Sequence, residues 1–362
     1  MSRVLTQSQP AGVVLSAWRS GRAWGMATLA SGLLLGAVIL NVMIGAVEAT
    51  PRQVLAVLLH HLGIGALAGD VPAQLDAVIW VIRLPRVFLA MLVGSALATA
   101  GALLQGLFRN PLADPHIIGV SAGASLAAVA TIVFNLASFS LWVLPIAAFT
   151  GGLLATAVTY RLARVGARTE VLTLVLAGIA INAVAGAATN LLIYYASDQQ
   201  LRAVVFWSMG SLGGGTWRAV ASALPFIVAG LLLAPRWGRA LDLLALGERE
   251  AFYLGVPIER LRWQVICVAA ILTGASVAVA GAISFVGLVV PHVLRLLCGP
   301  SHRTLLPLSA IGGAIIVLLA DLVARTVVAP TELPLGVIMG SIGGPFFLWL
   351  VRRTRRAQGG WA

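Results

Sequence analysis

The stretch RLPRVFLAMLVGSALATAGALLQGLFRNPLADPHIIGVSAGA, residues 83–124, limits how this chain can fold. Residues 87–107 carry no charge, and a helix of about 20 apolar residues crosses the hydrocarbon core of a bilayer. The segment NPLADP, residues 110–115, follows directly, and its two prolines end a helix and favour an extended bend. The stretch therefore predicts a membrane-spanning helix, a rigid turn and the start of a second apolar helix.

The composition of the whole chain supports this membrane assignment. Of the 362 residues, 60% are hydrophobic and 10% are charged, and the mean hydropathy is +0.99. A soluble domain is about 45–50% apolar and about 25% charged. These values exclude a soluble globular protein and a disordered chain, and two cysteines, Cys267 and Cys298, cannot form a disulfide framework. The chain is predicted to be an all-α polytopic membrane protein.

Apolar runs on both sides of the opening stretch predict about ten transmembrane helices in a single domain, membrane-embedded over 24–351. The third and the eighth are short, which is typical of helices that line the pathway of a transporter. The predicted spans lie near 24–46, 87–107, 119–134, 143–162, 170–194, 216–234, 263–284, 286–297, 305–327 and 335–351.

The arginines predict the orientation of these spans. All 24 basic residues are arginine, and with a cytoplasmic N-terminus 18 of them lie inside and six outside. This bias follows the positive-inside rule and places both termini in the cytoplasm. We therefore interpret the net charge of +12 as a topology signal and not as a nucleic-acid-binding surface. The six outer arginines are Arg52, Arg83, Arg86, Arg202, Arg218 and Arg325.

The absence of lysine excludes a nucleotide-binding loop of the Walker A type, in which a lysine reaches the phosphates. We therefore expect no enzymatic activity from this chain, and any ATP that drives its work is hydrolysed by a separate subunit. The apolar run after Arg22 is too long for a signal peptide and lacks a small-residue cleavage site.

Two segments predict an internal repeat. GSALATAG, residues 94–101, resembles GASVAVAG, residues 274–281, at an offset of 180 residues. The second predicted span runs inward and the seventh runs outward, so the two copies have opposite directions. Inverted repeats of this kind are common in transporters.

The opening stretch also resembles the signature of a known family, the permease subunits of bacterial type II ABC importers for iron chelates, haem and cobalamin. Further blocks agree with it, and the resemblance covers about 270 residues. These blocks are FWSMGSLG (206–213), LGV (254–256), GAISFVGLVVPH (281–292) and ELPLGV (332–337).

This resemblance implies a ten-span permease in the bacterial inner membrane. The permease would form a homodimer around one pathway and bind two copies of a cytoplasmic ATPase and one periplasmic substrate-binding protein. The chain itself would bind no cofactor, while ATP and Mg²⁺ would bind to the ATPase. The segment around 198–213 is most similar to the haem branch, so haem is the expected cargo, with ferric siderophores or cobalamin as alternatives.

Three outer arginines, Arg83, Arg86 and Arg325, lie at the mouths of predicted helices. One interpretation is that they anchor the helices at the membrane interface, because arginine can extend its charged group to water. The family resemblance implies a different role, in which these arginines bind glutamates on the two lobes of the substrate-binding protein. Arginine is suited to this role because its planar group can bind a carboxylate through two hydrogen bonds.

The turn NPLADP, residues 110–115, and the fifth span contain the predicted gate and pathway residues. In the family this turn helps to form the cytoplasmic gate, and Asn110 and Leu112 stand at the matching positions. A plainer interpretation is a stiff loop capped by Asn110 and Asp114. Asn182 and Asn190 are eight residues apart on one helix face, where they either line the pathway or bond to a neighbouring helix.

The segment 235–262 forms the largest predicted inner loop and is amphipathic. It either lies on the membrane surface as a helix or docks a cytoplasmic partner. The family resemblance favours coupling to the ATPase. The predicted coupling residues are Leu246, Gly247, Glu248, Arg249, Leu254 and Gly255.

Competing functions find little support in the polar residues of the spans. An ion-coupled transporter needs intramembrane carboxylates, and Asp321 is already explained by an i,i+4 pair with Arg325. A membrane enzyme needs a cluster of polar catalytic groups. His292 lacks the companions that a metal site requires, so we expect no metal centre and interpret it as a structural histidine.

Overall fold

The computed structural model describes residues 11–45, 47–63, 72–166 and 168–357, with side chains outside 11–23, 165, 351 and 353–357. The predicted cytoplasmic termini, 1–10 and 358–362, lie outside the described residues. The helices are α1 (Ala11–Met43), α2 (Pro51–His61), α3 (Ala73–Ala77), α4 (Leu84–Leu107), α5 (Val120–Val133), α6 (Val143–Leu162), α7 (Val171–Tyr194), α8 (Asp198–Ser208), α9 (Trp217–Leu233), α10 (Gly238–Leu244), α11 (Glu248–Tyr253), α12 (Ile258–Ala280), α13 (Val286–Cys298), α14 (His302–Thr326) and α15 (Leu335–Ala357). A short hairpin joins β1 (Arg164–Val165) to β2 (Arg168–Thr169).

The described helices confirm the predicted all-α membrane fold. Seven helical segments are long and apolar enough to cross a bilayer, and three shorter apolar helices accompany them. All ten coincide with predicted spans. The third and the eighth are short, as predicted, because α5 has 14 residues and α13 has 13.

Two of these helical segments extend ten or more residues beyond their predicted bounds. The second begins at Ala73, 14 residues before the predicted start, and reaches α4 through a π-helical turn, Val78–Arg83. The sixth continues from α9 through a 3₁₀ turn into α10 and ends at Leu244. Both extensions contain charged residues, which end a span that is predicted from hydropathy. In the structure each of these charged residues is either bonded to a partner or exposed to solvent.

The bundle has two ends, which we name after one residue each. The Glu332 end contains the end of α1, the start of α4, the end of α14 and the start of α15. At the opposite Glu248 end, α11 contacts the first turns of α12. Helix α1 ends and α15 begins at the Glu332 end, so both terminal helices extend to the Glu248 end. An even number of membrane crossings likewise leaves the first helix starting and the last helix ending on the same side.

Helix α4 is the centre of the bundle, and nearly all of its residues are buried. It packs against α9, α12, α13 and α14. A methyl group added to Gly94 would lie 2.1 Å from the carbonyl oxygen of Gly313 on α14, and one added to Gly101 would lie 1.9 Å from that of Gly287 on α13. The glycines are therefore required where two backbones touch, which is the usual way that membrane helices approach closely.

The two copies of the internal repeat lie in α4 and α12, which pack against each other. Helix α4 starts at the Glu332 end, whereas α12 ends there, since the carbonyl of Ala280 accepts a hydrogen bond from Ser211 N at 2.8 Å. The copies thus run in opposite directions, in agreement with the inverted repeat. Their surroundings differ, because the methyl position of Gly94 meets backbone and that of Gly274 meets the ring of Phe149.

Candidate functional site

Arg86 is the centre of a buried charge cluster at the Glu332 end. Its Nε and Nη2 atoms donate to both carboxylate oxygens of Asp321 at 2.9–3.0 Å, and its Nη1 donates to Glu332 Oε1 at 2.8 Å. Arg86 is 8% exposed and Asp321 is 2% exposed, whereas the side chain of Glu332 is 44% exposed. The paired geometry keeps two charges in a buried site, because a buried charge is tolerated only when it is paired and hydrogen-bonded.

Arg83 and Arg325 bond to the end of α1. Nη1 of Arg83 donates to the carbonyl oxygens of Val42 at 2.7 Å and Met43 at 3.0 Å. Nη1 of Arg325 donates to the carbonyl of Ile44 at 2.6 Å. The last carbonyls of a helix have no partner within the helix, and cations near them also interact favourably with the helix dipole. Two arginines therefore terminate α1 inside the bundle.

The structure brings Arg83, Arg86 and Arg325 together, as their assignment to a common surface requires. It also shows that all three groups are largely buried and bonded within the chain. The pair that we assigned to Asp321 and Arg325 is long, at 3.8 Å, and Arg86 is the hydrogen-bonded partner instead. The i,i+4 spacing could not reveal this, because Arg86 comes from a distant helix. Three other arginines at this end are exposed: Arg52, Arg202 and Arg218.

The predicted gate turn is held by local hydrogen bonds. Oδ1 of Asn110 accepts from the backbone N of Leu112 at 2.9 Å, and Asp114 caps the following 3₁₀ turn, Pro115–Ile118. Asn110 thus closes its own turn instead of capping a helix. Asn110 and Leu112 are both exposed at the Glu248 end.

An ion pair lies beside this turn, and an amide connects the same segment to α7. Nδ1 of His116 lies 2.5 Å from Oδ1 of Asp114. Burial disfavours both charged forms, but the opposite charge and the hydrogen bond hold the pKa of Asp114 below and the pKa of His116 above its ordinary value. Nδ2 of Asn182 on α7 donates to the carbonyl of His116 at 3.0 Å. Asn182 therefore contacts the 3₁₀ turn that follows the predicted gate turn, while Asn190 is exposed two turns further along α7.

The predicted coupling region is not one amphipathic helix. It consists of α10 and α11, which are separated at Gly247, where φ is +138°. The residues between and after them present an apolar surface to solvent. Leu246, Phe252, Tyr253 and Leu254 are all more than half exposed. Arg249 and Gly255 are exposed beside them, and Gly255 also has a positive φ, +84°.

Arg262 fixes α11 to the rest of the bundle. It is 6% exposed, its Nη1 donates to Glu259 Oε1 at 2.6 Å and to the carbonyl of Thr169 at 2.9 Å, and its Nη2 donates to Glu248 Oε1 at 2.5 Å. Glu259 in turn accepts from the backbone N of Thr169 at 2.9 Å. One guanidinium therefore connects the coupling region, α12 and the hairpin that leads into α7.

A second contact fixes α10 to α14. Oδ1 of Asp242 accepts from the backbone N of His302 at 2.6 Å and lies 2.8 Å from its Nδ1, while Oδ2 accepts from Ser301 at 3.0 Å. Asp242 thus caps the N-terminus of α14 from another element. The coupling region is held to α12, to α14 and to the hairpin, which gives its exposed surface a defined position.

Sequence reasoning did not find Arg262, Asp242 or Glu332 as contact residues. Each acts through partners that are distant in sequence, so no periodic pattern marks it. Among the described residues, no three His, Cys, Asp or Glu side chains lie close enough to hold a metal ion. His292 packs edge-on against Phe346, with 6.1 Å between the ring centroids.

Residues 33–353 match the model of the FecCD transport family. The chain is 48% identical over 286 residues to the hemin transport system permease protein HmuU of Yersinia pestis, which covers 78% of this chain and 85% of that protein. It is 44% identical over 282 residues to the cobalamin import system permease protein BtuC of Halobacterium salinarum, with 78% and 75% covered.

A solved ABC transporter described as being of the metal-chelate type, in an inward-facing conformation, has the same fold. The two chains superpose with a TM-score of 0.79 and are 31% identical, and the match covers 91% of this chain and 98% of that one.

The Arg86–Asp321 pair yields a prediction about stability. Asp321→Leu leaves Arg86 buried with only Glu332 as a charged partner, and we expect a loss of about 3–5 kcal/mol in unfolding free energy. The double variant Arg86→Met/Asp321→Leu removes both charges and is expected to be more stable than Asp321→Leu. Chemical denaturation in detergent measures the difference, with Glu332→Gln as a control of small effect. Equal stability of the single and double variants would contradict the pairing.

Proposed function

This chain belongs to the FecCD transport family, and on that premise we propose that it is the permease of an ATP-driven importer that carries haem into the bacterial cytoplasm. The chain is a type II importer permease and a multi-pass membrane protein. The observation that favours haem is the 48% identity to the hemin permease, against 44% to the cobalamin permease. Cobalamin is the second candidate cargo because of the 44% identity to the cobalamin permease. Ferric siderophores remain an alternative cargo.

An ion-coupled mechanism has less support. It requires a carboxylate that can bind and release a proton or cation within the membrane. Asp321 lies within α14, and the guanidinium of Arg86 occupies both of its oxygens. Energy from an external ATPase agrees better with an Asp321 that is paired in this way.

The ATPase binds at the Glu248 end, which we assign to the cytoplasm and toward which α1 and α15 extend. Two observations support this proposal. The exposed side chains of Leu246, Phe252, Tyr253 and Leu254 form an apolar surface, and such surfaces mark sites of protein association. Arg262 and Asp242 hold this surface in place. A displacement of α11 and the adjacent α10 is therefore transmitted to α12, α14 and the hairpin.

The substrate-binding protein docks at the Glu332 end through the cluster of Arg83, Arg86 and Arg325. The buried geometry adds a condition to this proposal. A carboxylate of the partner has to compete with Glu332 for Nη1 of Arg86, whereas Asp321 keeps the other side of the guanidinium. Glu332 is the partner that can be displaced, because its side chain is 44% exposed.

The pathway lies on the axis of a homodimer, lined by α7 and α15, and is closed at the cytoplasmic end by Asn110 and Leu112 of both chains. One side of α7 is exposed along its whole length, including Leu172, Leu176, Val184 and Asn190. Such a face in a membrane bundle is covered by lipid, by a partner or by the pathway itself. A two-fold axis gives a wide cavity without additional sequence.

Transport assays test the function directly. We expect proteoliposomes that contain the permease, its ATPase and its binding protein to accumulate haem only with ATP, and not to accumulate cobalamin or a ferric siderophore. Accumulation of cobalamin in place of haem would contradict the assignment of haem as the cargo, but not the assignment of the chain to an ATP-driven importer. Accumulation driven by an ion gradient without the ATPase would contradict the importer.

Tyr253 tests the coupling surface. We expect Tyr253→Asp to weaken ATPase binding by about 30-fold, since an aromatic residue central to an interface contributes about 2 kcal/mol or more. Tyr194→Asp is the matched control, because both tyrosines are at least 80% exposed and Tyr194 lies at the opposite end. Co-purification and binding assays measure the effect. Equal affinities for the two variants would show that the ATPase binds elsewhere.

Glu332 tests the docking surface without disturbing the Arg86–Asp321 pair. We expect Glu332→Gln to strengthen binding of the substrate-binding protein by up to about fivefold at low salt, since an ion pair whose carboxylate is exposed to solvent contributes about 1 kcal/mol or less. The gain disappears at high salt. Glu48→Gln is the control. It changes the charge of the same end by the same amount but does not release the guanidinium of Arg86 from a bond. Equal gains from both variants would argue against a role for Arg86.

Leu112 tests the gate. In a background without Cys267 and Cys298, we expect Leu112→Cys to cross-link between two chains and to block transport until a reductant is added. Leu162→Cys, exposed at the same end, is expected not to cross-link. Transport that is unaffected by a Leu112 cross-link would remove this residue from the gate.

A further inference from the structure

Helices α6 and α9 leave a groove between them. Both pack against α12. They meet through the rings of Phe149 and Phe226, whose centroids are 4.9 Å apart. Between these rings and the Glu332 end the space is open, because the facing positions of α9 and α12 include small residues such as Ser222 and Ala278.

Two adjoining cavities fill this open space. The larger, of about 830 Å³, lies at the Glu332 end, and the smaller, of about 370 Å³, lies deeper along α6. They share five lining residues and are therefore one continuous groove. From Trp142 to Phe149 the groove extends roughly 10 Å along the bundle, at 1.5 Å per residue. The shared residues are Trp142, Pro145, Ser222, Ala278 and Val279.

The chemistry of the lining changes along the groove. The deeper cavity is lined by alanine, valine, isoleucine, proline and aromatic side chains, with Ser222 as an exception. The mouth contains three tryptophans, Trp142, Trp207 and Trp217, together with the cation Arg218. Tryptophan is enriched at the level of lipid headgroups, where one side of the ring is apolar and the other is wet. The mouth is thus at headgroup level and the floor is at acyl-chain level.

Arg218 is a cation available for a ligand. Its side chain is exposed, and within the described part of the chain it forms no ion pair and no side-chain hydrogen bond. This distinguishes it from Arg83, Arg86 and Arg325 at the same end, which are bonded within the protein. A positive charge beside an apolar groove complements a molecule with an anionic head and an apolar tail.

We propose that this groove binds one anionic phospholipid, with its phosphate at Arg218 and an acyl chain between α6 and α9. The surrounding faces of both helices are apolar and exposed, for example at Ile146, Leu154 and Leu224, so the groove opens toward the hydrocarbon of the bilayer. An empty apolar groove loses packing contacts, and water there lacks polar partners. A lipid acyl chain satisfies the lining and is always available.

Lipid retention tests this site. The full-length protein is placed in nanodiscs with equal parts of phosphatidylglycerol and phosphatidylcholine, extracted in mild detergent and analysed by native mass spectrometry. We expect one retained phospholipid per chain, with phosphatidylglycerol preferred. Arg218→Gln should reduce that preference about fivefold, which corresponds to about 1 kcal/mol for one cation near anionic lipid. Arg52→Gln, an exposed arginine at the same end but outside the groove, should retain the wild-type preference.

Ser222→Phe tests the apolar part independently of charge. It places a ring in both cavities, so we expect the retained lipid to be lost while the elution profile of the protein is unchanged. Three results would overturn the proposal: wild-type protein that retains no lipid, Ser222→Phe protein that retains the same number, or equal preferences for Arg218→Gln and wild type. Retention of cargo in place of phospholipid would also overturn it.

Discussion

Helix α4 can occupy the centre of the bundle because Gly94 and Gly101 have no side chain where they meet Gly313 and Gly287. In a bilayer no hydrophobic force drives helices together, so close contact between backbones supplies much of the attraction. A methyl group at either position would overlap a carbonyl oxygen of the neighbouring helix. The positions of α13 and α14 therefore depend on these glycines, and the buried charges that α14 contributes depend on its position.

The charged groups inside the bundle are paired or hydrogen-bonded, which allows a strongly hydrophobic chain to bury them. Arg86 and Asp321 neutralise each other, and Arg83 and Arg325 satisfy carbonyls at the end of α1. At the other end, Arg262 satisfies two carboxylates and one carbonyl. Because an unpaired charge in such surroundings costs several kcal/mol, each cluster specifies one arrangement of the helices that contribute to it. The same clusters hold in place the surfaces that we assign to the two partners.

Helix α7 connects the coupling region to the predicted gate through direct contacts. Arg262 bonds the hairpin at Thr169, two residues before α7 begins, and Asn182 of α7 bonds the carbonyl of His116 beside the gate turn. A displacement of α11 thus has a continuous path of hydrogen bonds and rigid helix to the turn that contains Asn110.

The sequence by itself determined the class of fold, because hydropathy and helix length are local properties. Residues 83–124 and the other apolar runs predicted ten helices, including the two short ones, and the family motifs identified the chain as an importer permease. Only the tertiary structure decided how the charged residues are used. Asp321 pairs with Arg86, 235 residues away, and the predicted docking arginines are buried, because helix packing brings together groups whose separation in sequence carries no periodic signal. The division of the coupling region at Gly247, its attachment through Arg262 and the groove between α6 and α9 likewise depend on distances between helices, which a linear pattern does not contain.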